Sequence, residues 1–265
     1  MAGPLVKRDR RRETLAVWRL RVLVFVAVVG LWEFSAPRLQ SMLVPTFSQT
    51  LKGLFVLFFA TENFWDYLLI SNQALVLGFA ISVIIGLPVG LAAGRSKWMD
   101  RLLNPYIGVF LAMPIAPLIP IVIIALGLGL ASRVAIVVLF AFVFITVNTR
   151  AGVRNVDASL IEMAKSFGAS EAQIWRRIVI PGALPAIFAG LRIGLGRAIA
   201  GMVIVELILV ATGLGRLLLE FSGRLQADLV FATVFAVIAE ALILLSAMRF
   251  LEIRITPWAH DASVD

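Results

Sequence analysis

The sequence has 265 residues, 61% of them hydrophobic, and a mean hydropathy of +0.99. Soluble domains average roughly 45–50% apolar residues, so this composition indicates a membrane protein. The absence of Cys excludes disulfides and Cys-ligated metals, and we expect the one His, His260, to be a solvated residue near the C-terminus. We attribute the formal net charge of +8 to membrane topology and not to nucleic-acid binding.

Six apolar segments are suited to crossing a bilayer, which takes about 20 helical residues each. They cover residues 20–37, 68–93, 104–129, 132–149, 184–210 and 228–249. If the N-terminus is cytoplasmic, only five of the 24 Lys and Arg residues fall on the outer side, and the others fall on the cytoplasmic side. The five are Arg38, Lys52, Arg133, Arg216 and Arg224. By the positive-inside rule, this asymmetry predicts cytoplasmic N- and C-termini. We therefore expect an all-α membrane protein with six transmembrane helices.

The basic N-terminus followed by an apolar run also fits a signal peptide, but no clean small-x-small cleavage site follows that run. The sequence therefore favours an uncleaved first helix. We divide the chain into a basic N-terminal segment with the first transmembrane helix (1–43), a core (44–250) and a cytoplasmic tail (251–265).

The second and fifth spans carry small residues at four-residue steps. The residues are Gly78, Ser82, Gly86, Gly90 and Gly94 in the second span and Ala186, Gly190, Gly194 and Ala198 in the fifth. Such stripes let helices approach closely where apolar burial gives no driving force. They favour tight packing within one bundle, and a dimer interface along one stripe is the alternative.

Three prolines, Pro114, Pro117 and Pro120, interrupt the third span. Each removes a backbone donor and opposes helix continuity. Two interpretations remain open: a kink fixed by neighbouring helices, or a broken helix that lines a solute path. On the second interpretation, Met113, Pro114 and Pro117 are candidates for the translocation path or its gate.

Charged residues also occur within the spans. Glu33, Glu206 and Glu240 should face the bundle interior, because a charge in lipid costs roughly 2.5 kcal/mol or more. Glu206 shares a helix face with Met202, one turn earlier, and both are candidates for the path or gate. For the two arginines of the fifth span we expect snorkelling by Arg192 and a structural ion pair for Arg197.

The segment 157–181 is polar and amphipathic between two apolar spans. Asp157 and Ser159 are candidate N-caps, and Ser159 with Glu162 fits a capping box. This pattern predicts a helix that runs to about Phe167. Gly168 is well placed to end it in the left-handed conformation.

A second helix is predicted directly after this turn. Ser170 and Gln173 fit another capping box, and we expect the helix to run to about Val179, where Pro181 ends it. The first helix has an apolar face of Leu160, Ile161, Ala164 and Phe167. That face predicts either packing beneath the chain's own bundle or docking of a partner protein.

These residues carry a family resemblance. Glu162-Met163-Ala164, Gly168 and Ile178-Val179-Ile180-Pro181 resemble the EAA loop of ABC importer permeases, whose pattern is E-A-A, three residues, G, nine residues and I-x-L-P. Met163 replaces an Ala and Ile180 replaces the Leu. The resemblance covers about residues 44–258, and its flanking motifs are similar to the nitrate/sulfonate/taurine/bicarbonate subgroup, among them Val44-Pro45-Thr46, Thr212-Gly213-Leu214-Gly215 and Thr256-Pro257-Trp258.

The resemblance implies a type I ABC importer transmembrane-domain fold in the bacterial cytoplasmic membrane. It implies two permease copies forming the path, two separate ATPase subunits beneath them and an extracytoplasmic solute-binding protein. The residues implied to couple to the ATPase are Ser159, Glu162, Met163, Ala164, Phe167, Gly168, Ala169, Ile178 and Pro181. We expect a small anion as solute, with ATP and Mg on the partner and no cofactor or metal in this chain.

The sequence agrees with ATP binding by a separate subunit. The sequence contains no G-x-x-x-x-G-K-[ST] phosphate loop, so we expect no ATP hydrolysis by this subunit. An intramembrane enzyme is disfavoured, since the spans show no nucleophile–base or metal-ligand pattern. The main alternative is a secondary transporter or channel driven by an ion gradient, which Glu206, Glu240 and the proline-broken span would suit.

Overall fold

The computed structural model describes residues 4–39, 43–208 and 212–258, so His260 lies outside the described residues. The described parts are helical and contain no strand. They form two compact units, residues 1–62 with 220–235 and residues 63–219 with 236–265. In chain order the helices are α1 (Pro4–Ser35), α2 (Phe47–Phe59), α3 (Phe64–Arg95), α4 (Lys97–Ala112), α5 (Ile119–Leu126), α6 (Leu130–Arg154), α7 (Ala158–Ser166), α8 (Glu171–Ile174), α9 (Ile180–Ile208), α10 (Gly213–Gly223) and α11 (Ala227–Ile255).

The predicted spans correspond to helices of suitable length and hydropathy. Among the described residues, five helical segments are long and apolar enough to cross a membrane, and a bent pair of helices supplies a sixth. The five segments are Val17–Arg38, Phe64–Arg95, Leu130–Arg154, Glu171–Ile208 and Ala227–Ile255. The prediction of six spans is confirmed when the bent pair is counted as one span, and the helices are longer than the apolar runs alone indicated.

The third span is broken and not merely kinked. Helix α4 ends at Ala112, Met113 is extended, and a 3₁₀ turn over Ala116–Leu118 leads into α5. The axes of the two parts meet at 92°. The three prolines lack the N–H groups that would join the two parts into one helix. The broken-helix interpretation is confirmed as geometry, and its role as a path stays a prediction.

Within the unit formed by 63–219 and 236–265, α6 packs against both α3 and α9. The small residues make these contacts close: a Cβ added at Gly90 would lie 2.6 Å from the Thr146 carbonyl oxygen, and one added at Gly194 would lie 2.7 Å from Ile145 Cγ1. Both predicted stripes therefore serve packing within the chain. The alternative of a dimer interface along one stripe is wrong, because α6 occupies both.

The start of α4 is tied to the end of α6 by an ion-pair network. Asp100 Oδ1 lies 2.6 Å from Arg150 Nε, and Asp100 Oδ2 lies 2.7 Å from Arg154 Nη2. Arg150 also donates to Asn104 Oδ1 at 2.9 Å. One carboxylate thus holds two guanidinium groups and fixes the helix ends that precede the 157–181 loop. No pattern in the sequence indicated this pairing across about 50 positions.

In the unit formed by 1–62 and 220–235, Glu33 has a structural partner. Its carboxylate accepts hydrogen bonds from the Ser48 N–H at 3.0 Å and the Ser48 hydroxyl at 2.6 Å. Ser48 lies in the first turn of α2, where free N–H groups favour a negative charge. Trp32 supports the same junction by donating to the Pro45 carbonyl at 3.0 Å. Glu33 therefore fixes the start of α2.

Candidate functional site

The 157–181 loop begins with a capped helix. The Asp157 side chain accepts a hydrogen bond from the Ser159 N–H at 2.9 Å, and this bond holds the pKa of Asp157 below its usual value. Ser159 already lies inside α7, so the predicted capping box of Ser159 with Glu162 is wrong. Asp157, the other candidate cap, takes that role because its side chain precedes the first helical residue.

The turn after α7 confirms the prediction for Gly168. Its φ is +75°, in the left-handed region. The Gly168 N–H donates to the Lys165 carbonyl at 2.9 Å, and the Ala169 N–H donates to the Ala164 carbonyl at 3.0 Å. This pair of bonds is the Schellman motif, which satisfies the last carbonyls of a helix. The turn thus has a defined geometry.

The second half of the loop is capped as predicted but does not end at Pro181. Ser170 and Gln173 form the reciprocal capping box at the start of α8. A π-helical turn over Trp175–Val179 then continues directly into α9. Pro181 is tolerated because it is the second residue of α9, next to a widened turn whose Ile180 N–H bonds the Trp175 carbonyl. The loop therefore joins the fifth span without a break.

The two sides of the loop have different surroundings. Ile161, Ala164 and Ala169 pack against a cluster of Val153, Ile174, Val179, Ala183 and Ile187 in the bundle. Leu160, Met163 and Phe167 point away from it and are 45%, 51% and 83% exposed. Ser159, Glu162 and Gly168 are also exposed, whereas Ile178 and Pro181 are half-buried. The loop is anchored on one side and presents an apolar patch on the other.

The second candidate, Glu206, lies in a buried polar cluster. Its side chain is fully buried. It accepts from the Ser71 hydroxyl at 2.8 Å and from the Gly215 N–H at 3.1 Å, and Arg133 Nη1 lies 3.7 Å from Oε1. Ser71 in turn accepts from the Leu214 N–H at 2.9 Å. The cluster joins α3, α6 and α9 to the first turn of α10.

This arrangement gives Glu206 a positioning role that the sequence did not indicate. A carboxylate is favoured at a helix N-terminus, where N–H groups lack partners. Sequence reasoning missed Ser71, Arg133 and Gly215 as its partners. The nearest signal was the Thr212-Gly213-Leu214-Gly215 motif. The prediction that Glu206 borders the path stays a prediction.

The remaining path candidates are not brought together. Pro114 and Pro117 are exposed and Met113 is half-buried at the break between α4 and α5. Met202 is fully buried and packs in a core cluster with Leu75, Val137, Ala141, Leu195, Ala198 and Ile199. In this conformation Met202 therefore supports helix packing.

The two arginines of α9 differ from expectation. Arg192 does not snorkel alone, because its Nη2 lies 3.1 Å from Glu252 Oε2 on α11. Arg197 is not among the ion pairs of the described residues, and its guanidinium lies 4.8 Å from the centroid of the Phe144 ring. The ion pair expected for Arg197 is therefore found at Arg192, and snorkelling by Arg192 stays a prediction.

Comparison with known families gives a match over most of this fold. The model of a family described as a binding-protein-dependent transport system inner membrane component matches residues 82–257. That range contains the 157–181 loop and both helices of the broken third span, α4 and α5. It also contains α6, α9 and the part of α3 that follows residue 82.

Relatives align over nearly the full length. The taurine transport system permease protein TauC of Escherichia coli (strain K12) is 33% identical over 253 residues, covering 94% of this chain and 90% of its own. The putative aliphatic sulfonates transport permease protein SsuC of the same strain is 33% identical over 231 residues, covering 85% and 86%. The formylaminopyrimidine transport permease protein ThiX of Halalkalibacterium halodurans is 27% identical over 237 residues, covering 89% and 94%.

A solved structure shares the fold. It is a chain of the MetNI methionine ABC transporter in an inward-facing conformation, with a TM-score of 0.55 and 22% identity. The match covers 74% of this chain and 94% of that one.

Proposed function

Because the chain belongs to the family of binding-protein-dependent transport system inner membrane components, we propose that its 157–181 loop transmits motion from an ATPase. The chain is a multi-pass permease subunit of an ABC importer in the bacterial cytoplasmic membrane. Such a permease works with ATP-binding subunits and a solute-binding protein. An ion-gradient-driven transporter, the earlier alternative, has no support from these relatives.

The observation that carries this proposal is the divided surface of the loop. The buried side ties α7 to the start of α9, so a force on the loop moves the fifth span. The exposed patch of Leu160, Met163 and Phe167 is larger than a connector needs and suits docking of a protein. Residues in the proposed coupling element are Ser159, Glu162, Met163, Ala164, Phe167, Gly168, Ala169, Ile178 and Pro181.

The assembly we propose has two permease copies and two ATPase subunits, with ATP and Mg bound by the ATPase. ATP binding favours one of two arrangements of the bundle, and hydrolysis restores the other. The permease itself carries out no chemical reaction. The broken third span, with Met113, Pro114 and Pro117, is the best candidate for bordering the path.

For the solute we propose a small sulfonate. Two relatives that are 33% identical are named for taurine and for aliphatic sulfonates. The name of ThiX makes a pyrimidine the second candidate. Uptake of radiolabelled taurine, ethanesulfonate, nitrate, bicarbonate and formylaminopyrimidine into vesicles holding permease, ATPase and binding protein distinguishes these classes. Uptake without ATP would contradict the importer mechanism.

Docking is tested by Phe167→Asp, which places a charge in the exposed patch. We expect it to weaken co-purification of the ATPase at least tenfold, since an unpaired charge in an interface costs several kcal/mol. Leu225→Asp is the matched control, because Leu225 is 66% exposed in a loop predicted to lie outside the cell. Equal co-purification of both variants would contradict the docking role.

A further inference from the structure

Among the residues that the structure describes, Arg197 has no carboxylate counter-ion. Its side chain is exposed, and its guanidinium lies 4.8 Å from the centroid of the Phe144 ring on α6. The ion pairs of the described residues do not include it, whereas Arg133, Arg150, Arg154 and Arg192 each have a carboxylate partner. Arg197 is therefore free to bind an anion without breaking an existing pair.

Its place along α9 predicts that Arg197 lies away from the membrane surface. Helix α9 ends at Ile208, 11 positions after Arg197, and at 1.5 Å per residue this places Arg197 about 17 Å from the outer end of the helix. With the outer end of α9 at the edge of the hydrocarbon layer, which is about 30 Å thick, Arg197 lies near the middle of that layer. Charged side chains at that depth face the bundle interior or a water-filled cavity.

The surrounding surface of α9 is open. Ile193, Arg197 and Ala200 follow at helical spacing and are all exposed, while the face with Gly194 and Ala198 is covered by α6. A Cβ added at Gly196 would meet no atom within 4 Å, so there is space beside the arginine. The face that carries Arg197 is therefore bordered by water or by protein, and lipid is the least favourable neighbour.

We propose that Arg197 lines the translocation path and binds the anionic group of the passing solute. The proposal rests on the function proposed above, in which the solute is a sulfonate. A guanidinium presents donors in a planar fork that matches the oxygens of a sulfonate or carboxylate. The Phe144 ring holds the fork in place and offers an apolar surface to a short alkyl chain. Arg197 is then a specificity-determining residue within the membrane.

Access to water is the first test. The natural sequence has no Cys, so Arg197→Cys introduces a single thiol into the permease. The complex with ATPase is treated, with and without ATP, with a methanethiosulfonate reagent that carries a sulfonate. We expect labelling of Arg197→Cys in at least one nucleotide state and none of Met202→Cys, which is buried on the same helix. Absence of labelling at position 197 in every state would overturn the proposal.

The role of the charge is the second test. Permease variants are reconstituted with ATPase and binding protein, and uptake of taurine and ethanesulfonate is measured beside ATP hydrolysis. Because hydrogen bonds between charged groups are stronger than neutral ones, we expect Arg197→Gln to lower uptake about tenfold or more while assembly and ATP hydrolysis persist. Arg197→Lys should keep most uptake. Arg216→Gln is the matched control, since Arg216 also lies over a ring, that of Tyr67.

The outcomes separate this proposal from the proposed function. Wild-type uptake by Arg197→Gln, or loss of assembly together with uptake, overturns the proposal, the latter because it indicates a contact with the second permease copy. If the wild-type complex takes up no sulfonate, the proposed solute fails. The labelling of Arg197→Cys still decides in that case whether the residue borders the path.

Discussion

At the scale of single residues, Gly168 is a position where the backbone conformation restricts which side chains are tolerated. Its φ of +75° is costly for a β-branched residue, whereas the space around an added Cβ is empty. Gly168→Val should therefore cost about 1–2 kcal/mol through the backbone alone. We expect fewer solute molecules imported per ATP hydrolysed, measured in reconstituted vesicles.

Gly168→Asn is the matched control for this prediction. Asn adopts the left-handed conformation far more readily than Val, so the turn should keep its shape. Coupling close to that of the natural protein is the expected result. Equal loss of coupling in both variants would mean that position 168 must carry no side chain, and that the geometry of the turn is not what coupling requires.

Glu206 gives a second prediction at this scale. Glu206→Ala leaves Arg133 buried without its carboxylate and removes the acceptor for the Ser71 hydroxyl and the Gly215 N–H. Breaking a buried pair costs about 3–5 kcal/mol, so thermal unfolding of the purified complex should move to clearly lower temperature. Glu206→Gln keeps one acceptor and should lose less. A changed solute preference in Glu206→Gln would instead support a place in the path.

Residue-level prediction from the sequence succeeded where the cause is local. Gly168 ends its helix and Ser170 caps the next one, because both effects act within a few positions. Other partners lie 60 or more positions away in the sequence, as Ser71 does from Glu206 and Glu252 does from Arg192. Such pairs depend on helix packing, which a single sequence does not reveal.

At the scale of helices, the contact of α3 with α6 predicts a contrast between two glycines. A Cβ at Gly90 would lie 2.6 Å from both the Thr146 carbonyl oxygen and Thr149 Cβ. Gly90→Ala therefore forces the helices apart, at a cost of about 1–3 kcal/mol. We expect a lower unfolding temperature for the purified complex.

Gly108→Ala is the control, because an added Cβ there meets no atom within 4 Å. In the interior of α4 this change should stabilise the helix by up to about 1 kcal/mol, since Ala has the higher helix propensity. If both variants unfold at the same temperature as the natural protein, the close contact of α3 with α6 is not a source of stability.

The same scale shows why the loop was only partly predicted. A proline in a helix interior removes one backbone donor, and α3, α4 and α9 accommodate Pro88, Pro105 and Pro185 in spite of that loss. Pro181 instead follows a π-helical turn, and such turns have no simple sequence signature. The break between α4 and α5 was easier to predict from the sequence, because three prolines within seven positions prevent one continuous helix.

At the scale of the whole molecule, the charge distribution predicts on which side of the membrane each loop lies. Because Lys and Arg concentrate on one side of the spans, we expect Lys165 in the cytoplasm and Lys52 and Arg224 outside. All three side chains are exposed. The Cys-free sequence allows Lys52→Cys, Lys165→Cys and Arg224→Cys to be labelled one at a time with a membrane-impermeant maleimide.

In right-side-out vesicles, labelling of Lys52→Cys and Arg224→Cys is expected, and Lys165→Cys should react only after the vesicles are inverted. Position 165 is decisive, because the exposed patch around Phe167 can meet a cytoplasmic ATPase only if α7 lies on that side. Labelling of Lys165→Cys from outside would therefore contradict the topology and the proposed coupling together. Because three spans lie between α2 and α7, positions 52 and 165 must lie on opposite sides of the membrane, so labelling of both from inside alone would contradict the count of three spans between them.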